Sequence, residues 1–193
     1  LLHYRVRERY ANVAVLCSAE DPLAIYVVND SLKSVRGELI YQAFYMDGTP
    51  LSEPVQVRLN LKPYACVLAA RCDSAWETEM KAGKVYVMAR FTAGKNLSAE
   101  RVLFAALPKE LQLKKGEIEM QTVVENGQLV CVLHSPVLQY GVQLTSGESK
   151  ILRYSDNGFT LLPNESRKII VSGKAPNAAC IQVRSYNQIK NGK

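Results

Sequence analysis

The chain has 193 residues, 48% of them hydrophobic and 22% charged, a balance that rules out disorder as a description of the whole. Its longest apolar run, the seven residues from Tyr64 to Ala70, falls far short of the ~20 that a membrane-spanning helix needs, and a complete (β/α)8 barrel of ~250 residues does not fit. The net charge of +6 is spread along the chain, 13 − 11 up to Leu107 and 11 − 7 beyond it; only Arg5-Val6-Arg7-Glu8-Arg9 clusters, so no nucleic-acid-binding face is expected.

Leu1–Tyr10 reads as the tail of a helix from a preceding domain, since it opens without a helix start signal. The first residue is Leu1 rather than Met, and no charged-then-apolar leader precedes the fold, which leads us to expect a piece of a longer polypeptide. From Asn12 onward the dominant period is two. Asn12–Ser18, Leu23–Asn29 and Gly37–Met46 are β-rich runs, and Asp47-Gly48 after the third predicts a tight turn. In Pro54–Leu61, the side chains of Val55, Val57, Leu59 and Leu61 point one way and Gln56, Arg58 and Asn60 the other, the alternation of a half-buried strand. Ser74-Ala-Trp-Glu77 has capping-box spacing and predicts a short crossing helix. Strands follow at Lys84–Phe91 and Glu100–Ala106. The polar, Pro-bearing Leu107–Gly116 predicts a domain break. Beyond it come Glu117–Val124, with Ile118, Met120 and Val124 on one face, an Asn126-Gly127 hairpin turn, and runs at Gln128–His134, Leu138–Thr145, Ser166–Val171 and Cys180–Tyr186. Gly83, Gly94, Pro163, Gly173 and Pro176 fall between runs. Short strands at this spacing with little helix predict an all-β chain of two tandem immunoglobulin-like antiparallel β-sandwiches, residues 1–107 and 108–193.

Candidates for chemistry are few. Sequence motifs for a nucleophilic serine, a phosphate loop, a dinucleotide site or a zinc protease do not occur. The five cysteines, Cys17, Cys66, Cys72, Cys131 and Cys180, have no metal-site spacing and read mostly as small strand hydrophobes. With only His3 and His134 present, His134 is the one strand-borne histidine a triad could use, and it reads as an edge or surface residue. Two carboxylate pairs, Glu117 with Glu119 and Glu77 with Glu79, could in principle flank a glycosidic bond, but neither has neighbours that would split their pKa values, so both read as solvated. Tyr41 and Tyr45 share a strand face, and the apolar Ala43 between them favours core over a sugar-stacking platform. Trp76 reads as an anchor plugging a sandwich or a seam. Asn29, Asn96 and Asn164 each begin an Asn-x-Ser glycosylation sequon. No catalytic, metal or cofactor residue is assigned, and no cofactor is expected.

A resemblance rests on the order of several motifs. Leu2-His3-Tyr4, Arg9-Tyr10-Ala11 and the strand Asn12–Leu16 resemble the exit from the catalytic barrel of the β-mannosidases of glycoside hydrolase family 2. Val27-Val-Asn-Asp-Ser31, Gly37-Glu-Leu39 and Met46-Asp-Gly-Thr-Pro-Leu51 are similar to that family's first sandwich after the barrel. Leu103–Leu111 resembles the link between its terminal modules, and Tyr154-Ser-Asp-Asn-Gly-Phe-Thr-Leu-Leu-Pro-Asn-Glu165 its last module. The chain departs from the family pattern at Asn164, where glycine is usual, and at Thr160, where aspartate is usual; asparagine tolerates the same left-handed turn.

The resemblance implies a non-catalytic tail. In this family both catalytic glutamates lie on the barrel, ahead of Leu1, and none carries over to these residues. The parent would be a retaining exo-glycosidase acting on terminal β-D-mannose, periplasmic or secreted, whose barrel the two modules buttress. Related exo-β-glucosaminidases carry similar tails. Two other roles are compatible with the strands: a carbohydrate-binding module for mannan, and a free-standing immunoglobulin-like adhesion or chaperone tandem with protein partners. The catalytic barrel of the same chain is the expected partner, with possible oligosaccharide contact and no nucleic acid or membrane.

Overall fold

The computed structural model describes residues 4, 11–18, 20–147, 152–173 and 178–190; the expected helix tail (Tyr4 apart), the Arg5–Arg9 cluster, His3 and Pro176 lie outside them. The chain forms two compact units, which divide between Gln112 and Leu113.

In the first unit, β1 (Val13–Cys17), β2 (Ala24–Asn29) and β5 (Ala65–Arg71) form one sheet in the order β1-β2-β5. The other holds β3 (Val35–Tyr45), β4 (Val55–Leu61), β6 (Val85–Ala93) and β7 (Leu97–Leu103) in the order β4-β3-β6-β7. Every pairing is antiparallel. Alternation sends Val13, Val15, Ile25 and Val27 from the first sheet, and Leu39, Ala43, Val87, Ala89 and Phe91 from the second, into one shared core. Full burial of each Val, Leu, Ile or Phe among them stabilises the fold by about 1.5–3 kcal/mol.

Local departures from the sequence reading have identifiable causes. β5 falls in the apolar run Tyr64–Ala70, which has no alternation to mark it as a strand. β7 begins at Leu97, three residues ahead of the expected Glu100, because Gly94 at φ 59° closes a tight hairpin after Ala93. The helix cap is Asp73 rather than Ser74: its Oδ1 accepts from Ala75 N at 2.9 Å, and Glu77 pairs forward with Lys81 instead of reaching back. In the Asp47-Gly48 turn only Gly48 takes a positive φ, 89°; Asp47 instead accepts from Thr49 N at 3.0 Å. Leu107–Gln112 is folded onto the first unit. Gln112 N donates to Gly83 O at 2.8 Å, Leu111 is buried, and a Cβ on Gly83 would meet Glu110 O at 2.4 Å.

The second unit repeats the three-plus-four plan. β8 (Glu119–Glu125), β9 (Gln128–His134), β11 (Arg153–Tyr154) and β13 (Ser166–Ser172) form a sheet in the order β11-β13-β9-β8. Against it lie β10 (Gln139–Ser146), β12 (Phe159–Leu161) and β14 (Ile181–Arg184), in the order β12-β10-β14. Cys131, Leu133, Val142, Leu144, Phe159 and Ile169 are core residues. Asn126 and Gly127, at φ 50° and 75°, make the expected hairpin turn. Val124, expected inside with Ile118 and Met120, is 73% exposed, because β8 is a sheet edge and Val124 sits at its hairpin end. Cys180–Tyr186 is a strand only over Ile181–Arg184, with a helical turn before it and the helix Tyr186–Lys190 after it.

Buried side-chain amides close the ends of this sandwich. Asn187 Nδ2 donates to Leu138 O at 2.7 Å and Lys114 O at 3.0 Å, and its Oδ1 accepts from Tyr140 N. Gln139 Nε2 donates to Gly116 O and Ser135 Oγ, while Oε1 accepts from Ser185 Oγ at 2.6 Å. Asn157 serves both backbone groups of Leu144, accepting from its N and donating to its O at 2.9 Å each. Truncating Asn157 would strand both, and each buried unpaired group costs about 1–3 kcal/mol. Asn157→Ala is therefore expected to lower the urea midpoint of the second unit while Gln121→Ala, exposed on β8, shifts it less; equal shifts would contradict this role.

Candidate functional site

The strand register brings the candidate histidine into a row with acid and hydroxyl. On the outer face of β13-β9-β8, Ser166 lies opposite His134 and His134 opposite Glu119. His134 Nδ1 stands 3.8 Å from Glu119 Oε2, too far for a hydrogen bond. No hydrogen bond joins Ser166 to His134, and Ser166 and Glu119 are exposed on an open sheet. Triad chemistry requires a nucleophile hydrogen-bonded to its base at a site that shelters the oxyanion, and this row does not build one.

The carboxylate pairs are likewise taken up by the surface. Glu77 pairs with Lys81, and Glu79 lies 3.2 Å from Lys84 Nζ. Glu117 is exposed ahead of β8, beside Lys115 and Gln188 in a shallow open hollow. Tyr41 is 7% exposed, and its hydroxyl donates to Arg71 O at 3.3 Å; burial, with Cys72 and Asp73 adding, raises its phenol pKa. It is core. Tyr45, near the hairpin end, is 38% exposed. Trp76 packs against the core of the first unit, as its anchor reading expects.

The sequons separate cleanly. Asn29 is fully buried, with Nδ2 donating to Lys33 O and Lys62 O at 2.9 Å each, so no glycan fits there in the folded unit. Asn96 and Asn164 are exposed, and Asn164 adopts φ 60°, the left-handed turn expected of it. Cys17, Cys66, Cys72 and Cys131 carry free thiols, and among the described residues no cluster of His, Cys, Asp and Glu could hold a metal.

The motifs behind the family resemblance are explained by packing. At Gly37 a Cβ would meet Thr92 O at 2.3 Å and the Phe91 ring at 2.5 Å, so only glycine permits β3 to approach β6 there. In the stretch after Tyr154, Asp156 pairs with Arg167, whose guanidinium lies 4.3 Å from the centroid of the Phe159 ring. Gly158 takes φ 78°, and Asn157 closes Leu144. The geometry these residues set up is a sandwich interior.

The comparisons agree with that fold. Residues 21–110 match the Mannosidase Ig/CBM-like domain, and residues 113–189 match the Ig-fold domain of the Ig-mannosidase model. Each unit thus matches one mannosidase immunoglobulin-fold family. A β-D-mannosidase from Dictyoglomus thermophilum superposes with a TM-score of 0.74 at 17% identity, over 96% of this chain and 23% of that one. The exo-chitosanase CsxA of Amycolatopsis orientalis superposes at 0.66 and 13% identity, over 96% of this chain and 26% of that one. A search of curated proteins finds no match. The chain thus spans about a quarter of the length of these enzymes, and the domains are of the accessory immunoglobulin-like kind that glycosidases carry.

What the sequence reading missed is the outer face of β1-β2-β5, where Cys66 and the 49%-exposed Leu68 stand on the surface. The apolar run Tyr64–Ala70 was the available signal.

The cysteines offer a test of this placement. Burial, aided by Asp21, holds the Cys72 thiol up at about 11. In the 193-residue chain alone, exposed Cys66 is expected to be alkylated rapidly at pH 8, with Cys72 and Cys131 modified only on unfolding. The unfolded Cys72 ionises near pH 9 while the folded thiol keeps its proton, so the unfolded state binds fewer protons and stability falls as pH rises from 9 toward 11. Cys72→Ala should flatten that fall in urea titrations; an unchanged slope would contradict it.

Proposed function

We propose that the chain is the pair of non-catalytic sandwich modules at the C-terminal end of a family 2 retaining exo-glycosidase, and that the parent is a β-mannosidase releasing terminal β-D-mannose. The observation that carries this reading is the match of one mannosidase immunoglobulin-type family to each unit, in order, together with the likeness of the whole chain to a β-mannosidase. The exo-chitosanase likeness makes an exo-β-glucosaminidase the competing parent. In either enzyme the chemistry belongs to two carboxyl groups elsewhere, one nucleophile and one acid/base. The role of these modules is to hold the catalytic domain in its folded, active form, in an enzyme that works in the periplasm or is secreted.

Kinetics with aryl glycosides provides the test. The full-length polypeptide is expected to hydrolyse an aryl β-mannoside faster than an aryl β-glucosaminide, while the 193-residue chain turns over neither. Reversal of that preference would make the parent a glucosaminidase, and turnover by the short chain would overturn the accessory role. Titrating mannooligosaccharides into the short chain by calorimetry should give no heat at millimolar ligand; saturable heat would favour a carbohydrate-binding module instead.

A further inference from the structure

We propose that the end of the first unit where β3 begins and β4 finishes is a binding site for a carboxylate-bearing glycan, an inference that rests on the reading of the chain as part of a glycosidase. Buried Asn29 organises it. Its Nδ2 donates to the carbonyls of Lys33 and Lys62 at 2.9 Å each, which ties two basic residues, far apart in sequence, to one point. Beside them Arg36 and Glu38 face outward on β3, since Leu39 is buried and a Cβ on Gly37 would meet the Phe91 ring. Arg36 lies opposite Asn60, with Arg58 its diagonal neighbour, and Glu38 lies between Arg58 and Thr92. Lys95 sits in the turn that closes β6 onto β7 at the same end.

Five exposed cations, Lys33, Arg36, Arg58, Lys62 and Lys95, thus share this end with two acids, Asp30 and Glu38. Elsewhere in the unit Arg71, Lys81, Lys84 and Arg90 each hold a carboxylate within 3.2 Å. Here Arg58 stands 4.0 Å from Glu38, and among the described residues Lys33, Arg36 and Lys62 have no acidic partner. Gathered like charges repel one another, and a bound anion relieves that repulsion. A second observation is Tyr64, two residues beyond Lys62. It is 67% exposed at φ 55°, a backbone conformation that costs free energy and recurs at functional sites.

The chemistry of the lining selects the ligand. Arg36, Glu38, Arg58, Asn60 and Thr92 line a shallow hollow of about 510 Å³, within the size range of small-ligand sites. The guanidinium forks of Arg36 and Arg58 match carboxylates, while Asn60, Thr92 and Glu38 can bond hydroxyl groups. Glu38 accepts from hydroxyls but repels closely spaced phosphates. A chain rich in hydroxyls with a carboxylate at intervals therefore fits this surface better than a nucleic acid does, and a neutral glycan leaves its cations unused.

Calorimetry tests the site with β-linked hexamannuronate, and with mannohexaose, the same sugar without carboxylates, as control. Both the full-length polypeptide and the 193-residue chain are expected to bind hexamannuronate with a Kd below about 1 mM, while mannohexaose gives no heat with the 193-residue chain. Arg36→Gln with Lys62→Gln should weaken binding about tenfold or more. Lys115→Gln with Arg153→Gln removes the same charge from the second unit and should leave binding unchanged. Absence of hexamannuronate binding would overturn the proposal, as would equal loss in the two double variants. Equal binding of mannohexaose, or of a single-stranded DNA hexamer, would overturn it too, because carboxylates on a sugar would then not be what is recognised. Hexamannuronate binding by a full-length protein without glycosidase activity would sink the glycosidase reading and leave the site standing.

Discussion

A two-layer β-sandwich buries one face of each sheet and leaves two faces that the fold itself does not cover. In the first unit that constraint is met in two different ways. The β4-β3-β6-β7 sheet combines the ion pairs Glu38–Arg58 and Arg90–Glu100 with Ile40 and the stacked rings of Phe44 and Tyr86, whereas the β1-β2-β5 sheet presents Leu16, Tyr26, Val28, Cys66 and Leu68. Burial of the inner faces accounts for the fold; the chemistry of the outer ones bears on what the fold is for.

The ends of each sandwich pose the complementary problem, because strands that stop leave backbone groups without a ladder partner. Here side-chain amides substitute for missing strands. Asn29 ties the Lys33 and Lys62 carbonyls together in the first unit. Asn157, Asn187 and Gln139 do the same for Leu144, Leu138 with Lys114, and Gly116 in the second. These amides are satisfied and buried, which suits them to fixing one arrangement of loops. The stretch Tyr154–Glu165, which carries the family resemblance most strongly, is of this kind: its asparagine, aspartate and glycine organise a turn around Phe159.

Much of this was legible from the residues. Strict alternation identified β4 and the two-residue turn at Asn126-Gly127 identified the β8–β9 hairpin, since both signals are local. β5 was invisible to the same method because an apolar outer face removes the alternation. β11 and β12 were also unmarked: at two and three residues, their strand character comes from pairing with β13 and β10, which no local pattern encodes. Among the site candidates, Trp76 was legible as an anchor from its type. The burial of Asn29 and the row Ser166–His134–Glu119 depend on register between distant strands. Only the fold could supply them.

The proposed accessory role implies that the sandwich modules and the catalytic domain unfold as one. Differential scanning calorimetry of the full-length polypeptide, beside the 193-residue chain alone, tests that coupling directly. The first unit is expected to melt at a higher temperature in the full-length protein than in the short chain, in a transition that coincides with loss of glycosidase activity. A first unit that melts at the same temperature in both, independently of activity, would contradict it.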